Sequence, residues 1–259
     1  MRKEHTDTET LTHIRQQIDV LNDRFEGHHA DDLLRWAWDT FAEKAVLGTG
    51  FGPSGLFLIH RLVELDLPLP IFYLDTQLLF EQTYRLRDEL EEKLGITIHQ
   101  ILPEYSVKEQ AGQEGDELWN RDPDRCCFLR KVKPLQGYLA DKQAWITGIR
   151  RHQADTRATT PVIGWEANHE VIKLNPVAAY SGEEIWDYIH DLDLPYNPMH
   201  DEGYPSIGCI PCTSPVEDGE DERDGRWRGD EKVECGIHFS PETGTFERTG
   251  HSTTDREDE

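Results

Sequence analysis

The chain has 259 residues, of which 51 are Asp or Glu and 27 are Lys or Arg, so its net charge is -24 at pH 7. A surface with this excess of carboxylates repels the phosphates of DNA and RNA, which excludes general nucleic-acid binding. The first residues lack the apolar core of a signal peptide and no later apolar run is long enough to cross a bilayer, so we expect a cytoplasmic protein with no membrane partner.

Two segments near the N-terminus predict helices. LTHIRQQIDVLNDRF and ADDLLRWAWDTFAEKA both place apolar residues at helical spacing, and the second begins with acidic residues, as helix N-termini often do. We expect these helices, within residues 1–44, to pack beside the core of the protein and to take no part in its chemistry.

From residue 45 the chain alternates strands and helices. An apolar strand leads into a glycine-rich turn and an apolar helix, and LPIFYLDT predicts a second strand that ends at Asp75. A helix that ends at Gly95, the strands ITIHQILP and AWITGIRR, and a helix capped by Ser181 with Glu184 continue the pattern. Such alternation is typical of an α/β fold in which helices cover both faces of a parallel sheet.

The pattern weakens after about residue 200, where Gly, Pro and charged residues dominate. The final segment, FSPETGTFERTGHSTTDREDE, is polar and typical of a flexible tail. We therefore expect one α/β domain over residues 45–216 and a mobile C-terminal segment over residues 217–259.

The glycine-rich turn GFGPSG follows the first strand and matches the pattern G-x-G-x-x-G of dinucleotide-binding turns, with Asp75 about 20 residues further on. Pro53 removes one backbone N–H from this turn, and the Gly-Lys-Ser/Thr of a Walker loop is absent from the sequence. The turn predicts a phosphate site, with Asp75 and Thr76 near the nucleotide. A tight turn whose glycines serve packing alone is the alternative.

Four of the five cysteines form two local pairs. Cys126 and Cys127 are adjacent, and Cys209 and Cys212 form a Cys-x-x-Cys turn that Pro211 stiffens. Adjacent cysteines do not readily form a disulfide with each other, and a reducing compartment disfavours disulfides in general. Zinc normally takes spaced pairs, whereas adjacent thiolates diverge, which suits two corners of a [4Fe-4S] cluster. A redox dithiol and buried thiols without a metal are the alternatives.

Positive charge is concentrated beside the first cysteine pair. Residues 125–157 contain eight Lys or Arg and two Asp, a local balance of +6. An acidic protein that keeps one cationic region indicates an anion site there. Arg130 and Lys131, close behind the pair in the sequence, would offset the negative charge of a cluster with thiolate ligands.

The fifth cysteine, Cys235, lies between Lys232 and His238 at the edge of the polar tail. Nearby cations stabilise a thiolate, and a flexible segment lets the thiol approach a bound substrate and then a protein partner. Cys235 is therefore a candidate nucleophile, and a surface cysteine without function is the alternative.

The assembled segments resemble the assimilatory sulfonucleotide reductases over most of residues 45–238. The motifs that carry the resemblance are LDTQLLFEQTY, CCFLRKVKPL, WITGIRRHQADTR, KLNPVAAYSGEEIWDYI, LPYNPMHDEGYPSIGCIPCT and GEDERDGRWRGDEKVECGIH. The resemblance implies a Rossmann-like, adenine-nucleotide α-hydrolase type of parallel sheet. It also implies reduction of adenylyl sulfate (APS), or of its 3′-phosphorylated form (PAPS), to sulfite, with thioredoxin or glutaredoxin as electron donor in sulfate assimilation.

The resemblance also assigns roles to individual residues. It implies that Cys235 attacks the sulfate sulfur to form an S-sulfocysteine, with AMP as the leaving group. It implies a [4Fe-4S] cluster with Cys126, Cys127, Cys209 and Cys212 as ligands. It implies that Arg150, Arg157, Arg223 and Arg226 face the substrate and that Lys131 lies beside the cluster. We predict that Gly50, Gly52, Ser54, Asp75, Thr76, Lys131 and His238 bind the substrate as well. Guanidinium groups suit this substrate, because they both position and neutralise an anionic sulfuryl group.

Two departures from the family pattern lie at the nucleotide end. Many relatives have SFGAED where this chain has GFGPSG, and Gln77 replaces the usual glycine after Asp-Thr. The four-cysteine set generally accompanies use of adenylyl sulfate, whereas relatives without it prefer the 3′-phosphorylated nucleotide and some with the cluster accept both. We therefore predict adenylyl sulfate, with PAPS or both nucleotides as the alternative.

Two remoter alternatives remain at this stage. An NAD-dependent dehydrogenase would explain Gly50, Gly52, Gly55 and Asp75 but not the cysteines, and a zinc-binding module would explain only the four paired cysteines. The sequence leaves the oligomeric state open, with a homo-oligomer among the alternatives.

Overall fold

A single six-stranded sheet forms the centre of the protein in a computed structural model that describes residues 2–217, 219–230, 232 and 234–237, with side chains from residue 9. Its strands are β1 (Ala45–Thr49), β2 (Ile71–Leu74), β3 (Ile98–Ile101), β4 (Ala144–Ile146), β5 (Ile163–Glu166) and β6 (Val171–Leu174). The strand order is β3-β2-β1-β4-β6-β5, and all neighbours are parallel except the antiparallel pair β5 and β6. The predicted α/β fold is confirmed, with an antiparallel edge strand added.

Helices precede the sheet and connect its strands. They are α1 (Arg2–Gln16), α2 (Ile18–Phe25), α3 (Ala30–Phe41), α4 (Pro53–Glu64), α5 (Glu81–Leu94), α6 (Val107–Glu114), α7 (Leu118–Arg121), α8 (Pro123–Cys127), α9 (Lys133–Leu139) and α10 (Gly182–Asp191). A π-helical turn, Phe128–Val132, joins α8 to α9. Among the described residues, no helix is both long and apolar enough to span a bilayer.

The strands bury both faces of the sheet, as strands of a parallel sheet do. Leu47 and Ile146 point to the face that α3, α4, α5 and α10 cover. Val46 and Trp145, one position earlier on the same strands, pack on the opposite face against Leu135 of α9. Each fully buried aliphatic side chain of this kind stabilises the fold by about 1.5–3 kcal/mol relative to an exposed one.

Local sequence signals set the ends of two helices as predicted. The Ser181 hydroxyl accepts from the Glu184 N–H at 3.1 Å, and the Glu184 carboxylate accepts from the Ser181 N–H at 2.7 Å, which completes the capping box of α10. Gly95 ends α5 in the left-handed conformation at φ +65°.

The order of the strands creates a switch point beside β1. The chain leaves β1 toward β2 on one side, and β4 later pairs with the other side of β1. Connections that diverge in this way leave a crevice at the carboxyl ends of the two strands, where α/β proteins bind ligands. The glycine-rich turn after β1 therefore lies at the edge of the sheet where a ligand site is expected.

Candidate active site

A cavity of about 290 Å³ lies at this switch point. Its lining includes residues 48–55 at the end of β1 and after it, Thr76 after β2 and residues 147–149 after β4. The C-terminal segment, here residues 219–237 as far as they are described, contributes a further part of the wall through Arg223, Arg226 and Cys235, and Lys131, Arg157 and residues 205–208 also line the cavity. Strand ends and later segments of the chain thus enclose a volume of the size that small-molecule sites have.

The glycine-rich turn presents the N-terminus of α4 to the cavity. Phe51 adopts φ +60°, and its N–H donates to the Thr49 hydroxyl at 3.0 Å, so the turn is tight. Gly52 is the residue before the helix and Pro53 is its first residue, a position whose N–H has no partner within a helix. Pro53 therefore costs the turn no helical hydrogen bond. The N–H groups at a helix N-terminus attract an anion.

Asp75 lies behind the cavity lining, in contrast to the predicted nucleotide contact. Only 4% of it is exposed, and its carboxylate accepts from the Gln77 N–H at 2.7 Å, the Tyr84 hydroxyl at 2.7 Å and the Gln100 amide at 2.6 Å. These donors belong to the protein itself, so Asp75 shapes the turn after β2. Its neighbour Thr76 does line the cavity.

Gln77 occupies the position where the resemblance expects glycine, and the backbone there explains that expectation. Gln77 has φ +58°, a conformation that glycine adopts without strain and other residues rarely adopt. Its side chain is held by Arg130, whose guanidinium donates to the Gln77 carbonyl oxygen Oε1 at 3.0 Å and to the Thr76 backbone oxygen at 2.6 Å. Arg130 is only 2% exposed, so its hydrogen bonds are shielded from water. These bonds stabilise the turn, in which the positive φ of Gln77 is strained because the residue is not glycine.

Arg150 supports the cavity from behind. Its Nε donates to the Ser54 hydroxyl at 3.0 Å, and its Nη2 lies 3.5 Å from the Glu222 carboxylate. Arg150 is 4% exposed and does not line the cavity, whereas Ser54 and Glu222 do. Burial lowers the pKa of Arg150, which the Glu222 carboxylate partly offsets. Arg150 therefore joins the glycine-rich turn to the C-terminal segment.

Arg157 and Arg223 line the cavity and share one carboxylate, that of Glu234. Arg157 donates through Nε at 2.8 Å and Nη2 at 2.9 Å, and Arg223 donates through Nη2 at 3.0 Å. Burial and the nearby Arg157 lower the pKa of Arg223 to about 10. The pKa of Arg223 stays above neutral pH, so this guanidinium remains charged and adds positive charge to the cavity wall.

Cys235 faces the cavity directly after Glu234. Burial and the Glu234 carboxylate act to raise the pKa of its thiol, but the Lys131 ammonium, the Ile237 N–H and the Arg223 guanidinium outweigh them and hold the pKa below its ordinary value. The thiolate is the reactive form of cysteine, so this position favours a nucleophile. His238 lies outside the described residues, and the mobility of the C-terminal segment stays a prediction.

The four paired cysteines converge on the far side of Lys131. They line a second, much smaller cavity, and all are free thiols. Burial raises the pKa of Cys127 to about 12 and that of Cys212 to about 11, and the Thr76 hydroxyl lies 3.2 Å from the Cys209 sulfur. Among the described residues, no group of three or more His, Cys, Asp or Glu side chains is arranged to hold a single metal ion. Four thiols around one small cavity that Arg130 and Lys131 also line match the donor set of a cluster with several metal corners.

Lys131 connects the two cavities, because it lines both. Burial acts to lower its pKa, but the thiols of Cys209, Cys127 and Cys235 raise that pKa above the ordinary lysine value. One ammonium group therefore faces the paired cysteines and the candidate nucleophile together.

The structure also adds residues that the sequence did not single out. Glu222 and Glu234 line the cavity, and Trp227 does so beneath the guanidinium of Arg226, which lies 4.6 Å from the ring centroid. The only sequence signal for Glu234 was its position directly before Cys235. Lys232, which contacts Asp124 of α8, ties the C-terminal segment to the helix that carries the first cysteine pair.

Comparisons with known proteins agree with this geometry. Residues 44–215 match the family described as "Phosphoadenosine phosphosulfate reductase domain". The chain is 50% identical to the adenosine 5′-phosphosulfate reductase of Salinibacter ruber over 87% of this chain and 90% of the relative. It is 42% identical to the enzyme of that name from Oceanobacillus iheyensis over 83% and 90% of the two chains.

Among solved structures, the phosphoadenylyl-sulfate reductase of Candida auris, solved as a phosphate complex, superimposes with a TM-score of 0.69 at 32% identity. The superposition covers 78% of this chain and 97% of that one. The family match spans more than half of the chain, and the relatives agree along most of their length. The chain therefore belongs to the phosphoadenosine phosphosulfate reductase family.

Proposed function

We propose that this chain reduces adenylyl sulfate to sulfite and AMP in the cytoplasm, as a step of sulfate assimilation, with thioredoxin or a similar dithiol protein as electron donor. The observation that carries the proposal is the shared cavity, in which Cys235 faces the same space as Arg157, Arg223 and the glycine-rich turn. A nucleophile beside an anion site at the switch point of a nucleotide-binding fold suits transfer of a sulfuryl group. The names of the curated relatives support the same substrate.

The charge of the cavity supports an anionic substrate, and the names of the curated relatives favour adenylyl sulfate over its 3′-phosphorylated form. The charged side chains among the described lining are Lys131, Arg157, Arg223, Arg226, Glu222 and Glu234. Four cations against two carboxylates leave these side chains positive in sum, which suits a substrate that carries both a phosphate and a sulfate. The PAPS reductase of Candida auris, at 32% identity, keeps the phosphorylated nucleotide as the second candidate.

Two different parts of the cavity bind the phosphate and the sulfate of adenylyl sulfate. The N-terminus of α4 and the backbone of Gly50 and Gly52 suit the phosphate, since these residues line the cavity where a helix begins. Arg157 and Arg223 suit the sulfate, because a guanidinium fork matches two oxygens of such a group. The sulfate then lies beside Cys235, and the charge repulsion between thiolate and sulfate is reduced.

Cys235 acts as the nucleophile. Its thiolate attacks the sulfate sulfur, an S–S bond forms, and the S–O bond to the phosphate breaks, so AMP leaves with the electron pair of that bond. A thiolate of the donor then attacks the Cys235 sulfur and releases sulfite. The second thiol of the donor resolves the mixed disulfide, so the dithiol supplies two electrons and Cys235 is restored.

The paired cysteines are proposed to hold a [4Fe-4S] cluster. Cys126 and Cys127 end α8, and Cys209 and Cys212 flank a tight turn on the other side of the small cavity. The thiol donor set and the neighbouring cation Lys131 support this assignment, because a cluster with thiolate ligands is anionic. When bound, the cluster would supply charge and rigidity beside the substrate cavity. The residues of the chain carry out the steps above.

Sulfite release, covalent labelling and metal analysis together test the proposal. Protein purified without oxygen should release sulfite from adenylyl sulfate with reduced thioredoxin, and faster than from the 3′-phosphorylated nucleotide. Cys235→Ser should abolish sulfite release and covalent ³⁵S labelling while the iron content stays at the wild-type level. Sulfite release at the wild-type rate by Cys235→Ser would refute the role of this thiol, and stoichiometric zinc without iron would refute the cluster.

A further inference from the structure

The carboxylate of Glu234 fills the anion site that the proposed function assigns to the substrate. Its two oxygens accept three hydrogen bonds of 2.8, 2.9 and 3.0 Å from Arg157 and Arg223. Its side chain is 21% exposed, so the ion pair is largely shielded from water. Electrostatic attraction in such a setting is stronger than at a surface.

The donors of Arg157 are engaged on both sides of its guanidinium. Nε and Nη2 donate to Glu234, and Nη1 donates to the Gln153 amide oxygen at 2.7 Å. The Nε and Nη2 edge is the fork that grips two oxygens of a carboxylate, a phosphate or a sulfate in the same planar geometry. A second anion cannot take this edge while Glu234 holds it.

Glu234 belongs to the same segment as the nucleophile. It directly precedes Cys235, and both line the cavity with Arg157 and Arg223. The same segment therefore places both the Glu234 carboxylate and the Cys235 thiol in the cavity. The neighbouring Glu222 is less suited to this role, because it lies 3.5 Å from Arg150 and its side chain is 44% exposed.

We propose that Glu234 is an internal competitor of the substrate: it occupies Arg157 and Arg223 in the nucleotide-free protein, and the sulfate of adenylyl sulfate displaces it on binding. This inference rests on the proposed function. Displacement frees the segment from its ion pair at the moment when the sulfate arrives beside Cys235. Because binding energies are reciprocal, the ion pair weakens substrate binding by the same factor by which substrate weakens the ion pair.

The test measures nucleotide affinity in a protein that cannot react. In the Cys235→Ser background, isothermal titration with adenylyl sulfate should show binding, and Glu234→Gln should tighten it by at least about fivefold. Glu234→Asp has a side chain that is one methylene shorter, so its affinity for adenylyl sulfate should lie between that of the protein with Glu234 and that of Glu234→Gln. Arg157→Gln removes most of the ion pair in advance. In that background, Glu234→Gln should therefore raise the affinity for adenylyl sulfate by less than half of the factor seen when Arg157 is present.

A matched control exists in the same segment. Glu220 also accepts two hydrogen bonds from one guanidinium, at 2.8 and 2.7 Å from Arg228, but neither residue lines the cavity. Glu220→Gln should leave the affinity unchanged. An unchanged or weaker affinity in folded Glu234→Gln and Glu234→Asp would overturn the inference and leave the proposed function intact. Failure of the Cys235→Ser protein itself to bind adenylyl sulfate would overturn both.

Discussion

At the scale of single residues, the clearest departure from the family pattern is Gln77. Its position requires a left-handed backbone, and the turn tolerates a side chain there because Arg130 binds its amide oxygen at 3.0 Å. Arg130 also binds the Gln110 amide oxygen at 2.9 Å, so α6 and the turn after β2 depend on one buried guanidinium. The substitution of glycine is thus compensated by a contact some fifty residues away along the chain.

Two substitutions at this residue separate strain from the lost hydrogen bond. Gln77→Ala and Gln77→Gly both remove the contact with Arg130, but only glycine relieves the strain of φ +58°. We expect Gln77→Ala to be less stable than Gln77→Gly by about 1 kcal/mol. Urea unfolding measures this difference, and equal stability of the two variants would show that the turn carries no such strain.

At the scale of elements, the sequence predicts the strands and helices that surround the cavity better than the edge of the sheet. β1 to β3 and α5 follow from apolar runs and from Gly95, and the switch point follows from the glycine-rich turn. The hairpin of β5 and β6 lies outside those predictions, because β5 includes Gly164 and no helix separates the two strands. The alternation of strands and helices that indicates the other strands is absent here, and a glycine weakens a strand pattern.

The candidate site was predictable in its chemistry and only partly in its placement. Cys235 and the cations Lys131, Arg157 and Arg223 all reach one cavity, as motif positions indicated. Asp75 does not reach it, since short-range hydrogen bonds hold its carboxylate behind the turn. Whether a side chain at a strand end lines the cavity or lies behind it depends on how the neighbouring elements are placed, which a single sequence does not specify.

The hairpin carries a buried ion pair that has its own prediction. Lys173 on β6 donates to Glu166 on β5 at 3.0 Å, and the two residues are 8% and 2% exposed. Lys173→Met leaves the Glu166 carboxylate buried without its cation, so we expect a loss of about 3–5 kcal/mol in the free energy of unfolding. Adding Glu166→Gln should recover most of that loss. Chemical denaturation of both variants checks this, and a small effect of Lys173→Met alone would contradict it.

At the scale of the whole molecule, opposite charges are separated. The chain has a net charge of -24, while the lining of the cavity has more cations than acids. Repulsion between the surface carboxylates opposes folding, and attraction between cavity and substrate favours binding. Salt screens both, so stability and substrate affinity should respond to salt in opposite directions.

Raising NaCl from about 0.1 to about 1 M shortens the screening length from about 10 to about 3 Å. We expect the midpoint of thermal unfolding to rise over this range, because the repulsion between acidic residues falls. We expect the Kd of the Cys235→Ser protein for adenylyl sulfate to rise as well. Scanning calorimetry and titration at each salt concentration measure the two quantities, and a falling unfolding midpoint would contradict the first expectation.

Trp227 gives the protein a built-in optical probe. The indole is 5% exposed, and the Arg226 guanidinium and the Lys232 ammonium lie 4.6 and 5.6 Å from its ring centroid. The emission wavelength of an indole responds to the electric field and to the water around it. A movement of the segment that carries Cys235 and changes either one changes the emission, so stopped-flow fluorescence can follow a single turnover without an attached dye, with Trp227→Phe as the blank for the other six tryptophans.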